Sequence, residues 1–500
     1  MDTTPQVPHP LAAMDRRSLL EHGKDALVDF ILVLLAAVSA LRARVAELTR
    51  QLSQNSANSH WPPSADKPAA RQARQKRRHD TSLRAPSTRS AGGQPGHRGT
   101  TLQAVANPDK VIVHPLPRCC PHCAHALEGL ATTKVIKRQV FELPKPQPLE
   151  VTEHQAHQSL CPHCHKSVSG SFPSEVSAHV QYGPRLKSTA VYFMDVQLMP
   201  CERTAQTFAE VLGITLSQGT LINILNQAGS NARGPCAAIL EAIQKSPVRH
   251  ADETSANLLG LEKKHWVHVL ATAVLTYLYV HPRRGLEAMR QVMEGCAGGH
   301  LIHDCWASYD SICHLLHGLC NAHLLRELIA MKELGASWAE PLLYLLLEMK
   351  SAVDQARRQH GPQAQVEASR REGYVERYRQ LVGAALAATP ALVKAPGKRG
   401  RTAQGKGRNL LLRLAGREEE VLAFLLKPGI PFDNNEAERC IRVVKLREKI
   451  SGCFRALVTM MAFLRVRSIV GSARKQGYAA MEIIELLFTN PGILPEMLTG

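Results

Sequence analysis

Five hundred residues exceed what one compact core accommodates, so several domains are expected. An apolar fraction of 44% is ordinary for a folding chain, whereas a net charge of +18 with a pI near 9.5 is not, and it points to a polyanionic partner. Thirteen cysteines, an odd count behind an N-terminus without a secretory pattern, argue against a disulfide framework; they favour a reducing cytoplasm and metal ligation.

In chain order, the first element is a helix. Leu27, Ile31, Leu34, Val38, Leu41, Val45, Leu48 and Leu52 follow a 4,3,4,3,4,3,4 spacing that places them on one seam. That pattern predicts a short coiled coil and self-association, and residues 1–53 are read as this unit. The stretch from Ala26 to Leu41 is too short for a membrane span and contains Asp29. Residues 54–105 are rich in Ser, Pro, Gly, Gln and Arg, with too little apolar surface to offset the entropy of ordering. This reads as a flexible basic linker whose Arg74, Arg77 and Arg78 suit DNA phosphates.

Residues 106–178 have β-like runs and two knuckles of nearly identical sequence, Cys120-Pro-His-Cys123 and Cys161-Pro-His-Cys164. A C-x-x-C turn presents two thiolates to one point, and zinc takes four tetrahedral ligands. The knuckles are separated by 37 residues, an acceptable loop for a ribbon-like structural zinc site. Cys119, His122, His125, His163 and His165 are alternative ligands nearby.

Residues 179–245 read as helical. Arg203 to Leu212 and Ser217 to Asn226 form a helix–glycine turn–helix outline, with Ser217 as cap, consistent with a helix-turn-helix. Strand-like runs then follow at Val248–Asp252, Trp266–Thr272 and Val274–Val280, a helix at Gly285–Glu294, and a strand at His300–Asp304. This strand, hairpin, helix, strand order is the beginning of a ribonuclease-H-like α/β core. Residues 246–320 form its first part, residues 321–425 an all-α insertion with a Gly/Lys-rich loop, and residues 426–500 its completion with C-terminal helices.

Asp252 and Asp304 close two of these strands, and Asp433-Asn-Asn-Glu436-Ala-Glu438-Arg439 opens the C-terminal helical segment. Carboxylates converging from such positions can hold Mg²⁺ or Mn²⁺ for phosphodiester chemistry, although any one of them alone reads better as a cap or a solubilising group. Lys445 lies two helical turns beyond Glu438, where a cation can meet a phosphate, and Arg439, Arg442, Arg447 and Lys449 extend the positive surface. Cys320 and His323 make two potential ligands, too few for a closed zinc site, and a structural role is preferred for them.

Taken together these motifs resemble the insertion sequence 66 family of transposases along nearly the whole chain. The resemblance rests on Asn55-Ser-Ala-Asn-Ser59, Gly92-Gly-Gln-Pro-Gly-His97, the paired knuckles, Val180-Gln-Tyr-Gly-Pro184, Ser217-Gln-Gly-Thr220, Asp252-Glu-Thr254, Asp304-Cys-Trp-Ala-Ser-Tyr309, Cys320-Asn-Ala-His323 and Asp433-Asn-Asn-Glu-Ala-Glu-Arg439. Ser255 departs from the glycine more often found after the first motif. The resemblance implies a DDE-type enzyme in which Asp252, Asp304 and Glu438 bind magnesium, element ends are cleaved, and the freed 3′-hydroxyl attacks target DNA. It singles out Glu438 over Glu436 and Asp433, and implies a helical insertion, for which the 134-residue step from Asp304 to Glu438 leaves room. Small companion proteins of the same element and a nucleoid-associated cytoplasmic location are further expectations. A zinc-dependent DNA-binding regulator without catalysis, and an unrelated ribonuclease-H-like nuclease without strand joining, are the competing readings.

Overall fold

The computed structural model describes residues 24–53, 103–141, 149–173, 175–260, 264–392, 402 and 404–500. The first element is α1 (Lys24–Ser53), thirty residues without an internal glycine or proline. Ile31, Leu34, Val38, Leu41, Val45 and Leu48 of the seam are all exposed on it. The side chains of Leu27 and Leu52 lie outside the described residues, as do Arg74, Arg77 and Arg78. No helix among the described residues is long and apolar enough to cross a membrane.

The region read as extended contains two three-residue strands, β1 (Gln158–Leu160) and β2 (Ser167–Ser169), paired antiparallel around the second knuckle. Elsewhere it has turns and irregular backbone, with Ile136, Val140 and Val151 at 78%, 89% and 86% exposure. An apolar core is therefore not what organises it.

Helical packing begins at α2 (Pro184–Val191), which continues into a π-helical turn at Tyr192–Val196. Next come α3 (Cys201–Leu212), α4 (Gln218–Asn231) and α5 (Arg233–Lys245). Gly213 ends α3 at φ +69°, a conformation that favours glycine, and the Ser217 hydroxyl caps α4 by accepting from the Thr220 amide at 3.0 Å. The helix–turn–helix outline is thus present. Its second helix is a core element, burying Leu221, Ile224, Leu225, Ala228 and Gly229, and it carries no Lys or Arg.

The central sheet comprises β3 (Val248–Ala256), β4 (His265–Ala271), β5 (Thr276–His281), β6 (His300–His303) and β7 (Leu316–Leu319), in the order β5-β4-β3-β6-β7. The first three strands form an antiparallel meander, whereas β6 and β7 run parallel to β3. Helix α6 (Leu286–Met293) makes the crossover from β5 to β6. This mixed sheet among helices is an α/β architecture, and every strand inferred from the alternating pattern is found, within two residues at its start and four at its end.

The long helical stretch resolves into α7 (Asn321–Glu333), α8 (Ala339–His360), α9 (Ala368–Ala388) and α10 (Lys406–Gly416), followed by the short α11 (Glu418–Val421) and α12 (Ala423–Leu426). Leu324, Leu328, Leu342, Leu346, Tyr378 and Leu411 build a hydrophobic cluster of their own there. The chain returns to the sheet as α13 (Asn435–Ser451), α14 (Leu457–Lys475), α15 (Ala480–Thr489) and α16 (Leu494–Thr499).

Two devices lock α14 to its neighbours. Ser472 and Ser468 accept hydrogen bonds from the Thr276 and Leu278 amides of edge strand β5, at 2.9 and 2.8 Å, so that edge is covered rather than open to another chain. On its other side, a methyl group at Gly229 would fall 2.3 Å from the Ala462 Cα, so only glycine permits this α4–α14 approach.

Candidate active site

The register of the three parallel strands brings distant residues into one row. Val248, Arg249 and His250 pair with His300, Leu301 and Ile302, and continuing that register sets Asp252 opposite Asp304. His300 to His303 pair with Leu316 to Leu319, so Cys320 occupies the same row on the third chain segment. Neighbouring strands lie about 4.8 Å apart, so Asp252, Asp304 and Cys320 form a line. Asp304 and Cys320 directly follow β6 and β7, whereas Asp252, expected to close its strand, stands at the middle of β3, because that strand runs on to Ala256 paired with β4. The Cys320 amide extends the ladder by donating to the His303 carbonyl at 2.9 Å.

Helix α13 supplies the fourth group from its first turn. The buried Asn434, just before the helix, donates through Nδ2 to the Ala251 carbonyl at 2.7 Å and bonds through Oδ1 to His250 Nδ1 at 3.0 Å. Its amide also donates to Cys320 Sγ at 3.2 Å. One side chain and one amide therefore tie the start of α13 to β3 and to the end of β7, which fixes Glu438 above the row. Sequence reasoning did not assign a role to Asn434 or His250; a consecutive Asn pair ahead of a helix was the available signal.

Burial first, then the neighbouring Glu253, and further off Asp304 and Glu438, push the Asp252 carboxyl up to about 8. Such a group is one whose charge a divalent cation would offset, and the hard oxygen donors of Asp252, Asp304 and Glu438 suit magnesium. Asp252 also accepts from the Glu253 amide at 2.8 Å, and Asp304 from the Trp306 amide at 2.9 Å, which restricts both carboxylates.

Glu253 is a further buried acid that the sequence reading passed over. Its carboxylate receives the Arg284 guanidinium at 2.6 Å and the Tyr309 hydroxyl at 2.5 Å. Arg284 in turn lies 3.9 Å over the Trp306 ring and 5.0 Å from that of Trp266. Tyr309 stacks on His303 at 4.4 Å, and His303 bonds to His317 at 2.9 Å. These contacts tie the loop that carries Asp304, Trp306 and Tyr309 to Glu253 of β3, His303 of β6 and Arg284. An acid directly following Asp252 was the sequence signal that could have revealed it.

Glu438 is turned toward the other end of the row. Its Oε1 lies 3.8 Å from Cys320 Sγ and 3.6 Å from His323 Nδ1. Among the described residues, Cys320, His323 and Glu438 are the one set of three or more Cys, His, Asp or Glu whose ligand atoms all lie within 4.8 Å of one another. Asp252, Asp304 and Glu438 are thus neighbours without being drawn that tightly together. Burial pushes the Cys320 thiol up to about 12.

The expected positive strip is only partly as read. Arg439, Arg442, Lys445 and Lys449 are exposed along α13. Arg442 approaches Glu438 at 3.5 Å, while Lys445 donates to the Ser255 carbonyl and hydroxyl and to Glu448 at 3.0 Å. Arg447 is not on this surface: its guanidinium lies 3.8 Å over Phe454 and donates to the Gly452 carbonyl. Nine residues at 100° each put it opposite Glu438 on the helix, so its inward position follows from helical geometry.

The two knuckles adopt the same turn. In each, the amide four residues after the first cysteine donates to that cysteine's carbonyl, at 2.9 Å for Ala124 and 2.8 Å for His165. Ala124 and His165 both have positive φ, 57° and 54°. Backbone donors from His122 and Cys123 hold the Cys120 thiol below its ordinary range, and those from Cys164 and His163 do the same for Cys161. These donor sets fit zinc, but the four thiols stand as two separate pairs rather than one cluster.

The model of the Transposase IS66 family matches residues 179–462, which span the sheet, all three candidate carboxylates and the helical insertion. The chain belongs to the IS66 transposase family. A second model, a family of unknown function (DUF6444), matches residues 11–103, covering α1 and the basic segment after it. No curated protein matches the chain. As a family member it is a transposase, and DNA and divalent metal ions are what that family name implies for its work.

Proposed function

We propose that this transposase cleaves DNA at the ends of its element and joins the freed 3′-hydroxyl to target DNA, using Asp252, Asp304 and Glu438 as the magnesium-binding acids. The observation that carries the reading is the register row: two aspartates 52 residues apart meet in one row just past the parallel pairing of β3 with β6, beneath the first turn of α13. The antiparallel meander followed by two parallel strands supports a ribonuclease-H-like core, interrupted by the all-α insertion between β7 and α13.

Magnesium bound by these carboxylates would activate the attacking oxygen and offset charge on the leaving oxygen. The protein's own part is positional. Asp304 is restrained by its turn, Asp252 by the adjoining amide, and the Glu253–Arg284–Tyr309 layer resists movement of both. Arg439, Arg442 and Lys449 give the DNA backbone a cationic track beside the acids, and Lys445 ties β3 to α13 until a phosphate competes for it. Arg74, Arg77 and Arg78 would add phosphate contacts from the linker. The knuckles Cys120, Cys123, Cys161 and Cys164 would be joined by one structural zinc, and the exposed seam of α1 would pair with a second copy. Small companion proteins of the same element are the other partners proposed.

The test supplies a pre-cut element end bearing a 3′-hydroxyl, a supercoiled target and Mg²⁺. Joined product with the wild type, and none with Asp304→Asn, is the expected result. Equal joining by both proteins would remove Asp304 from the reaction, and nicking without joining would make the enzyme a nuclease.

A further inference from the structure

We propose that Cys320, His323 and Glu438 form a binding site for a thiophilic divalent cation, with zinc as its natural occupant, distinct from a site made by the aspartates. The three ligand types come from β7's end, α7 and α13, segments up to 118 residues apart in sequence. Zinc bonded at about 2.3 Å to sulfur and about 2.1 Å to nitrogen and oxygen would hold neighbouring tetrahedral ligands roughly 3.4–3.7 Å apart. The observed 3.6 Å from His323 Nδ1 to Glu438 Oε1 and 3.8 Å from Cys320 Sγ to the same oxygen approach those separations.

A second observation points the same way. His323 Nδ1 is buried without a hydrogen-bond partner, an orphaned lone pair or proton facing the cluster. Cys320 is fully buried whereas His323 and Glu438 are partly exposed, so an ion can enter from the solvent side. Three protein ligands leave the fourth position open to water or phosphate oxygen. Magnesium, which favours oxygen ligands, has no claim on the thiol. Binding exchanges the Cys320 thiol proton for the cation and involves no change of oxidation state.

A filled site engages Oε1 of the same glutamate to which the proposed function gives a magnesium ion. Zinc on Oε1 would leave Oε2 of the same carboxylate for magnesium, so that the two sites share Glu438. Only this consequence rests on the proposed function; the site itself stands on its own geometry.

The experiment titrates Co²⁺, without DNA, into the full chain carrying Cys120→Ser, Cys123→Ser, Cys161→Ser and Cys164→Ser. One equivalent should bind with a sulfur-to-cobalt charge-transfer band, and Zn²⁺ should displace it. Cys320→Ser in that background should abolish the band. His323→Gln, a change at a partly exposed position that spares the buried thiol, should weaken Co²⁺ binding by at least about tenfold. In the otherwise wild-type chain, Cys320→Ser should lower the bound zinc by one equivalent. Absence of the band, or a band that survives both substitutions, would overturn the site. Because no DNA is present, either result is independent of whether the protein cleaves or joins strands.

Discussion

The two cysteine-bearing regions of this chain reach order by opposite means. Around the knuckles, residues 103–141 and 149–173 expose most of their apolar side chains and pair three residues with three. Around Cys320, the sheet and its helices bury continuous hydrophobic clusters, and polar groups such as Asn434, His303 and Arg249 are enclosed. The thiols follow their surroundings: backbone amides lower Cys120 and Cys161, whereas burial raises Cys320. The cysteines of the first region sit in short local turns, whereas Cys320 is held in place by a packed fold around it.

Substitutions of the carboxylates should separate chemistry from folding most sharply. Asp252→Asn should reduce metal-dependent DNA cleavage by at least about a thousandfold while leaving the circular dichroism spectrum intact. A folded variant that keeps more than a tenth of the activity would dissociate the register row from catalysis. Metal removal probes the other region. A strong chelator, or Cys123→Ser with Cys164→Ser, should speed proteolysis within residues 103–173 by about tenfold or more, with cleavage in the 183–500 portion unchanged. Equal sensitivity of both portions would mean that the two regions do not reach order by different means.

Packing changes should act only on the sheet-bearing part. Asn434→Ala removes two bonds from one buried side chain and leaves the Ala251 carbonyl and His250 unpaired, a loss of about 2–3 kcal/mol in urea unfolding. Gly229→Ala forces apart α4 and α14, costing about 1–3 kcal/mol by the same measurement. A smaller effect should come from pH. The Asp252 carboxyl is raised to about 8, so its contribution to stability is present while it is protonated and is lost as pH rises from about 4 through about 8. The metal-free protein should therefore lose more melting temperature between about pH 5 and about pH 9 than Asp252→Asn does, and magnesium should narrow that difference. Identical trends in the two proteins would show that Asp252 is not strained by its neighbours.

Much of this architecture was legible because it is local. Alternation marked β3 to β6, Ser217 and Gly213 marked the ends of α4 and α3, and Asp304 directly follows its strand as expected, whereas Asp252 lies mid-strand because pairing with β4 carries β3 on to Ala256. β7 was not picked out, since Leu316-His-Gly-Leu319 is too short to display a period. What escaped notice was contact between distant segments. No spacing reveals that Cys320 faces Glu438 across 118 residues, or that Glu253 is clasped by Arg284 and Tyr309. The β-like texture of the knuckle region overstated its strands, because β-branched residues there are exposed rather than packed across a sheet. Arg447 was assigned to the DNA-facing side although helical rotation alone puts it on the opposite one.

The most direct measurement is cleavage of DNA carrying the element's terminal repeats, with Mg²⁺, by the wild type and by Glu438→Gln. Cleavage by the wild type and none by the variant is the predicted result. Equal cleavage by the two would contradict the account, because Glu438 would then have no part in the chemistry that the sheet and α13 are proposed to assemble.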